Sequence, residues 1–403
     1  MPGSKDRFED LPEHVLELLL SFLPSQDAVR TSVLARRWRT LWKSVPALRL
    51  DGFEFESAQD EEDEAHHDVQ SWVQYAVSCR VSVLRVRNED ADYPRLEISN
   101  SSVISKDLTR LELCNLAFGA SRLDLISCEA LEVLEIDGCS INIGDNLPKS
   151  LRHLKVTHSR LYSMDTKRNC LSAPGLLTFE LADCSEWTPL LESLPSLVTS
   201  FIRINMECED ACTHIKYLGD CGYESCEGCY GEEDHCLLLE GLAGATNLEL
   251  ISQYSVIFRK DLKWCPMFSK LKTVLLNEWC LTANFTGLLY FLQHTPILEK
   301  LTLQLPSCKD FDIGSNGSYN PVEYLLVSKH LKVVEIHCSK EDEWTCQIVN
   351  ILGTHGVTSV RNREDEWICQ IVNILGIHGV TSAQISIKHD SWSSFRFSFQ
   401  QPK

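Results

Sequence analysis

The residues best placed to do chemistry lie between positions 206 and 237, where Cys208, Cys212, Cys221, Cys226, Cys229 and Cys236 fall within 29 residues. Nine carboxylates from Glu207 to Asp234, together with His214 and His235, are interleaved among them. The two-residue gap of Cys226-Glu227-Gly228-Cys229 lets both thiolates reach one tetrahedral zinc, and Cys221 with Cys236, or Cys208 with Cys212, would complete a set of four. There is no second Cys-x-x-Cys, and the surrounding carboxylates raise thiol pKa values unless a metal offsets them. The stronger reading is an exposed acidic loop. The expectation is no metal and no cofactor, with Cys221, Cys226, Cys229 and Cys236 as the zinc candidates.

Other catalytic signatures are missing. Gly241-Leu242-Ala243-Gly244 lacks the Gly-Lys-Ser/Thr of a phosphate loop, and neither Gly-x-Ser-x-Gly nor His-Glu-x-x-His occurs. The chain therefore reads as a non-enzyme that acts by holding other molecules.

The insert interrupts a periodic array. Segments of LxxLxL form begin at Leu108, Leu131, Leu151, Leu176 and Leu197, at spacings of 23, 20, 25 and 21 residues, and weaker units follow at Leu248, Leu271, Leu298 and Leu331. That period is a leucine-rich repeat, whose strands are expected to stack as a parallel sheet on the concave side of a curved solenoid. Val81–Val86 reads as the first strand, led by a short helix over 72–77, and Ala383–Ile387 as the last. Binding on the concave face and binding at the loops both remain open.

At the N-terminus, apolar residues at 12, 15, 16, 19, 20 and 23 follow the spacing of one helix face, and Leu11, Leu18 and Phe22 widen the stripe. Leu34, Trp38, Leu41, Trp42 and Val45 repeat the pattern in the last of three expected helices, with Pro24 and Pro46 as stops. So small a unit carries more apolar surface than it can bury in itself, which predicts a partner protein; a self-contained three-helix core is the alternative.

Leu11-Pro12, Ser21-Phe22-Leu23-Pro24, Ala28-Val29-Arg30-Thr31-Ser32-Val33-Leu34 and Arg36-Arg37-Trp38-Arg39-Thr40-Leu41-Trp42 resemble the F-box of plant F-box proteins with leucine-rich repeats, of the FBD-like kind. The resemblance implies an α/β fold: a three-helix F-box over 6–50, then an irregular leucine-rich-repeat solenoid with a parallel sheet. It also implies a receptor subunit of an SCF (Skp-cullin-F-box) ubiquitin ligase. Its F-box would bind a Skp-type adaptor, and through it a cullin, while the repeats capture a protein substrate of unknown identity. Leu11, Pro12, Val15, Leu16, Leu19, Leu20, Leu23, Val33, Trp38 and Trp42 are the adaptor-contact positions this implies, shared in unknown proportion with the module's own core. A leucine-rich-repeat scaffold working without the ligase is the alternative, favoured if the chain covers its own apolar face.

Composition sets limits. Net charge is −19, yet the first fifty residues hold eight Lys or Arg against six Asp or Glu, so the body carries the acidity and would repel a phosphate backbone. Arg30, Arg36, Arg37, Arg39 and Lys43 read as the solvated or partner-facing side of a docking helix, not as a nucleic-acid site. No apolar run approaches a membrane span, and Met1–Asp6 has no apolar secretory core. The expectation is a cytoplasmic and/or nuclear protein with reduced thiols and unglycosylated sequons at Asn100, Asn284 and Asn316.

The remaining segments are an acidic linker over 51–70, the repeats over 71–338 and an FBD-like region over 339–403. Within the last, Glu341–Ser359 recurs as Glu364–Ser382, 23 residues on, with only Thr345/Ile368 and Thr354/Ile377 differing. So close a match marks a recent duplication or a gene-model artefact, with one copy the native ending and the other a bulged extra unit.

Overall fold

Prolines set the starts of the first two helices. The computed structural model describes residues 8, 11–51, 73, 76, 78–88, 96–97, 104–143, 147–163, 168–192, 194–210, 225–226, 235–252, 257–264, 266–305, 330–339, 371, 375–376 and 380–390. In it Pro12 and Pro24 cap α1 (Glu13–Leu20) and α2 (Ser25–Arg30) with φ −60° and −53°, values the pyrrolidine ring fixes in advance. Glu13 and Asp27 lie in the first turns, where the helix dipole favours negative charge. The apolar pattern runs to Leu23, but α1 stops at Leu20 because Pro24 disfavours helical backbone at the residue before it.

The expected third helix is not one α-helix. Residues 31–44 form three 3₁₀ segments, Thr31–Val33, Arg36–Arg39 and Leu41–Ser44, and Ala35 between the first two is extended (φ −159°, ψ 163°). Arg37 pins this stretch from outside it: its guanidinium donates to the carbonyl oxygens of Phe8 and Leu11.

The rest is mainly parallel strands. In chain order they are β1 (Ala47–Asp51), β2 (Val83–Arg87), β3 (Leu96–Glu97), β4 (Arg110–Cys114), β5 (Leu116–Leu123), β6 (Val133–Asp137), β7 (Ser140–Ile143), β8 (His153–Thr157) and β9 (Arg160–Leu161). Then come β10 (Cys170–Leu171), β11 (Thr178–Ala182), β12 (Leu190–Leu191), β13 (Thr199–Ile204), β14 (Asn247–Ser252), β15 (Thr273–Asn277), β16 (Lys300–Gln304), β17 (Val333–Ser339) and β18 (Ile385–Asp390). Helices α3 (Ile257–Asp261) and α4 (Thr282–His294) fall between β14 and β16.

The chain divides into two units, Met1–Leu197 with Glu207–Asp210, and Val198–Met206 with Ala211–Lys403. The first holds the parallel order β1-β2-β4-β6-β8-β11 and two smaller parallel sheets, β3-β5-β7-β9 and β10-β12, which the leucine spacing does not predict. The second holds β13-β14-β15-β16-β17-β18, also parallel. The fold is thus α/β, N-terminal helices followed by extensive parallel sheet. β1 is likewise absent from the leucine pattern: it comes directly after the helical segments, buries Leu48 and Leu50, and pairs with β2.

Each main strand begins two residues after a leading leucine of the repeat, and Leu108, Leu131, Leu151, Leu176, Leu271, Leu298 and Leu331 are all buried. Between leucine and strand runs a spine of shared carbonyls. Those of Pro46, Ser82, Thr109 and Glu132 in the first unit each accept two successive N–H groups from the next repeat, as do those of Val198, Thr246, Lys272 and Glu299 in the second. At the other end of the strands, Asn115, Gly138, His158 and Asp183 directly follow β4, β6, β8 and β11, all with positive φ between 47° and 64°. The turn therefore recurs where the side chains do not.

Aromatic packing fills the second unit. Trp279 donates from Nε1 to the Leu250 carbonyl at 3.0 Å and packs on Phe258, and Phe268 stacks on Phe291. No helix among the described residues is long and apolar enough to cross a membrane. Of the duplicated segments, the first (341–359) lies outside the described residues; Ile371, Leu375 and Val380 of the second are buried ahead of β18.

Candidate docking surface

Between Leu11 and Trp42 the structure sorts the apolar residues by exposure. Leu16 and Leu20 point into the module and are buried, as are Ala28, Leu41 and Val45, so they form its own core. Leu11, Val15, Trp38 and Trp42 are half-buried, whereas Pro12, Leu19, Leu23 and Val33 are exposed. Four further large apolar residues join the exposed set: Phe8, Leu18, Phe22 and Leu34. Leu18 and Phe22 flank the predicted stripe and Leu34 belongs to the predicted third segment, so their type was a signal; their exposure required the actual path of the chain.

The exposure is pronounced. Val33 is 85 % accessible, Leu34 68 % and Phe22 61 %. Covering each such side chain is worth about 1.5–3 kcal/mol before the costs of association, enough in sum to drive specific binding. The face is also braced. Trp38 packs edge-on against Phe8 with ring centroids 6.0 Å apart, Trp42 donates from Nε1 to the Arg39 carbonyl at 3.1 Å, and Ser21 Oγ donates to the Leu18 carbonyl at 2.7 Å. Of the five basic residues around it, Arg30 pairs with Asp27 at 3.0 Å and Arg37 is committed to backbone carbonyls.

The outward face of the first-unit sheet has a different character. Arg85 lies between Asp51 (3.2 Å) and Glu112 (3.8 Å), Arg110 bridges Glu112 and Glu135, and Lys155 meets Glu180 at 3.1 Å. Opposite charges alternate along neighbouring strands, so this face offers satisfied ion pairs, not a concentrated charge. In the second unit Phe201, Glu249, Ile251 and Thr302, at the corresponding outward positions, are buried.

The two ends of the cysteine-containing insert are each held by a buried carboxylate. Asp210 takes two hydrogen bonds from Arg168 and one from the Thr188 N–H. Beside it, Cys208 exchanges a hydrogen bond with Thr188 Oγ1 at 3.2 Å, and burial, with the neighbouring Asp210 charge, pushes its thiol up to about 12. At the other end, Asp261 accepts from the successive N–H groups of Leu237, Leu238 and Leu239 at 2.6–3.0 Å, and burial raises its carboxyl. Burial and Asp261 likewise push the Cys236 thiol upward, and its sulfur accepts the Glu240 N–H.

Both thiols are therefore neutral near pH 7 and serve packing. Of the zinc candidates, Cys226 and Cys236 are buried, while Cys221 and Cys229 lie outside the described residues. Among the described residues no group of three or more His, Cys, Asp or Glu is arranged to hold a metal ion.

Comparison with known proteins bears on the N-terminal face first. The F-box domain profile matches residues 8–50. A meiotic F-box protein of Oryza sativa subsp. japonica is 26 % identical over 358 residues, covering 75 % of this chain and 72 % of the relative. An F-box/LRR-repeat protein of Arabidopsis thaliana is 31 % identical over 193 residues, covering 47 % and 39 %. Another is 50 % identical, but over only 58 residues, 14 % of this chain and 19 % of its own length. The chain thus spans less than two thirds of the two Arabidopsis relatives.

Proposed function

Because the chain is an F-box protein of the plant leucine-rich-repeat kind, we propose that it is the substrate-recognition subunit of an SCF ubiquitin ligase. Residues 6–50 are the F-box and dock a Skp-type adaptor, which links the chain to a cullin. The parallel strands form an irregular leucine-rich-repeat solenoid that captures a protein destined for ubiquitination. No step of the chemistry is assigned to this chain. It raises the local concentration of substrate at the ligase by joining two binding modules, a proximity effect, and would do so in the cytoplasm or nucleus.

The observation that carries this reading is the exposed apolar face built from Leu18, Leu19, Phe22, Leu23, Val33 and Leu34 within the region that matches the F-box. A soluble protein leaves so contiguous an apolar patch open where a partner covers it. Adaptor contacts are accordingly assigned to Pro12, Leu19, Leu23 and Val33, with Leu11, Val15, Trp38 and Trp42 at the margin. Leu16 and Leu20 support them from beneath. A scaffold independent of the ligase would need the chain to cover that face itself, and the exposure of Val33 and Phe22 argues against it.

The test is capture of a purified plant Skp adaptor by the full chain and by a Leu19→Asp/Val33→Asp variant. The wild-type chain binds; the variant, with an unchanged circular dichroism spectrum, does not. Absence of binding by the wild-type chain overturns the proposal.

A further inference from the structure

Paired strands of the second unit lie a nearly fixed distance apart in sequence until the last pair. Leu248 pairs with Val274 and Val274 with Leu301, separations of 26 and 27 residues; Leu301 and Val334 are 33 apart. Val334 and its partner Ile385 are 51 apart, and within that stretch lie both copies of the 19-residue duplication, offset by 23. Removing one offset from 51 leaves 28, within the range of the other repeats.

The copies are nearly identical, but the residues next in the chain differ. After the second copy come Ala383, Gln384 and Ile385, whereas after the first come Val360, Arg361 and Asn362. Gln384 closes the repeat. Its amide nitrogen donates to the Leu331 carbonyl, the residue that leads into β17, and its Oε1 accepts from both the N–H and the hydroxyl of Thr381. Arg361, at the equivalent place, has no acceptor oxygen in its side chain and cannot make the second set of bonds. Beyond it, Asn362 and Glu364 stand where β18 has Ile385 and Ile387, and polar residues of low strand propensity are poor replacements there.

We infer that the fold uses a single copy between β17 and β18, that Glu364–Ser382 holds this place because Gln384 and the Ile-Ser-Ile strand come after it, and that residues 341–363 are one surplus repeat length. The buried side chains of the working copy are Ile371, Leu375 and Val380, and the Val380 N–H closes back on the Leu375 carbonyl at 2.9 Å. Ile348, Leu352 and Val357 are their counterparts in the surplus copy. Either copy is chemically able to fill the place; the downstream residues choose between them.

Two deletions in the full chain test this. Removing residues 341–363 joins Lys340 to Glu364, and removing 360–382 joins Ser359 to Ala383; each leaves one complete copy leading into Gln384 and β18. Both deletion chains are expected to melt within a few degrees of the parent and to keep its circular dichroism. In the undeleted chain, Ile371→Asp/Leu375→Asp lowers the melting temperature strongly, and Ile348→Asp/Leu352→Asp leaves it unchanged. The inference is overturned if the 341–363 deletion unfolds, or if the two double substitutions are equally damaging, since the first copy would then be a working repeat. Adaptor capture by the deletion chains reads out the N-terminal module separately, so failure there does not touch this result.

Discussion

Arg168 grips the Asp210 carboxylate with two hydrogen bonds, of 2.7 and 2.6 Å, and the Asp210 side chain is completely shielded from solvent. The guanidinium also donates to the Thr188 carbonyl at 2.8 Å and lies 4.9 Å from the centre of the Trp187 ring. A buried pair of this kind contributes little net stability over an apolar pair of the same size, but loss of one partner strands a charge. Arg168→Met and Asp210→Leu are each expected to destabilise the first unit by about 3–5 kcal/mol. The double variant should recover a large part of that loss. Denaturant unfolding of the three variants checks it, and strictly additive losses would show that the pair is not coupled.

The two sides of α1 should answer differently to truncation. Leu16 and Leu20 are buried, so Leu16→Ala or Leu20→Ala costs about 2–5 kcal/mol through the transfer and cavity terms. Leu19→Ala and Val33→Ala remove exposed side chains and should change stability by less than about 0.5 kcal/mol. In adaptor titrations the order reverses: the surface pair weakens binding at unchanged melting temperature. A Leu19→Ala variant that melts as low as Leu16→Ala would place Leu19 in the core.

Periodicity and local chemistry made most of this legible from sequence, while details of path did not. The leading leucines located the strands to within two residues because an inward leucine at every repeat is the one feature no unit can vary. The acidic, cysteine-containing insert could be delimited, but not its anchors: Asp261 lies 24 residues from the Leu237 N–H it accepts from, and Arg168 lies 42 from Asp210. Neither pairing leaves a local pattern. The third helix failed for a related reason, since Leu34, Trp38, Leu41 and Trp42 have helical spacing, yet Ala35 is extended and Arg37 bonds to carbonyls 26 and 29 residues away. Exposure along α1 was ambiguous because nearly every position there is apolar.

The turn after β6 allows only glycine. Gly138 has φ +64°, and a Cβ built on it would lie 2.2 Å from Asn115 Oδ1, whose amide nitrogen donates to the Asn88 carbonyl. Gly138→Ala therefore incurs both the left-handed backbone cost of about 1 kcal/mol and a collision with a side chain that spans two repeats. A loss of about 2–3 kcal/mol in denaturant unfolding is expected. Adding Asn115→Gly relieves the collision but not the backbone cost, so the double variant should lie between Gly138→Ala and the parent.

Glu278 opens the 3₁₀ segment between β15 and α4, and burial lifts its carboxyl to about 7 against a hydrogen bond from Asn277 that acts the other way. The folded chain thus holds this proton more tightly than the unfolded one. Stability from this group is fully present below the unfolded pKa of 4.5, declines as pH rises from there to about 7, and is constant beyond. Glu278→Gln keeps the shape of the protonated acid and cannot ionise. It should melt like the parent near pH 5 and several degrees above it at pH 8, a gap of up to about 3 kcal/mol. Parallel curves of melting temperature against pH for parent and variant would show that Glu278 ionises in the fold without cost.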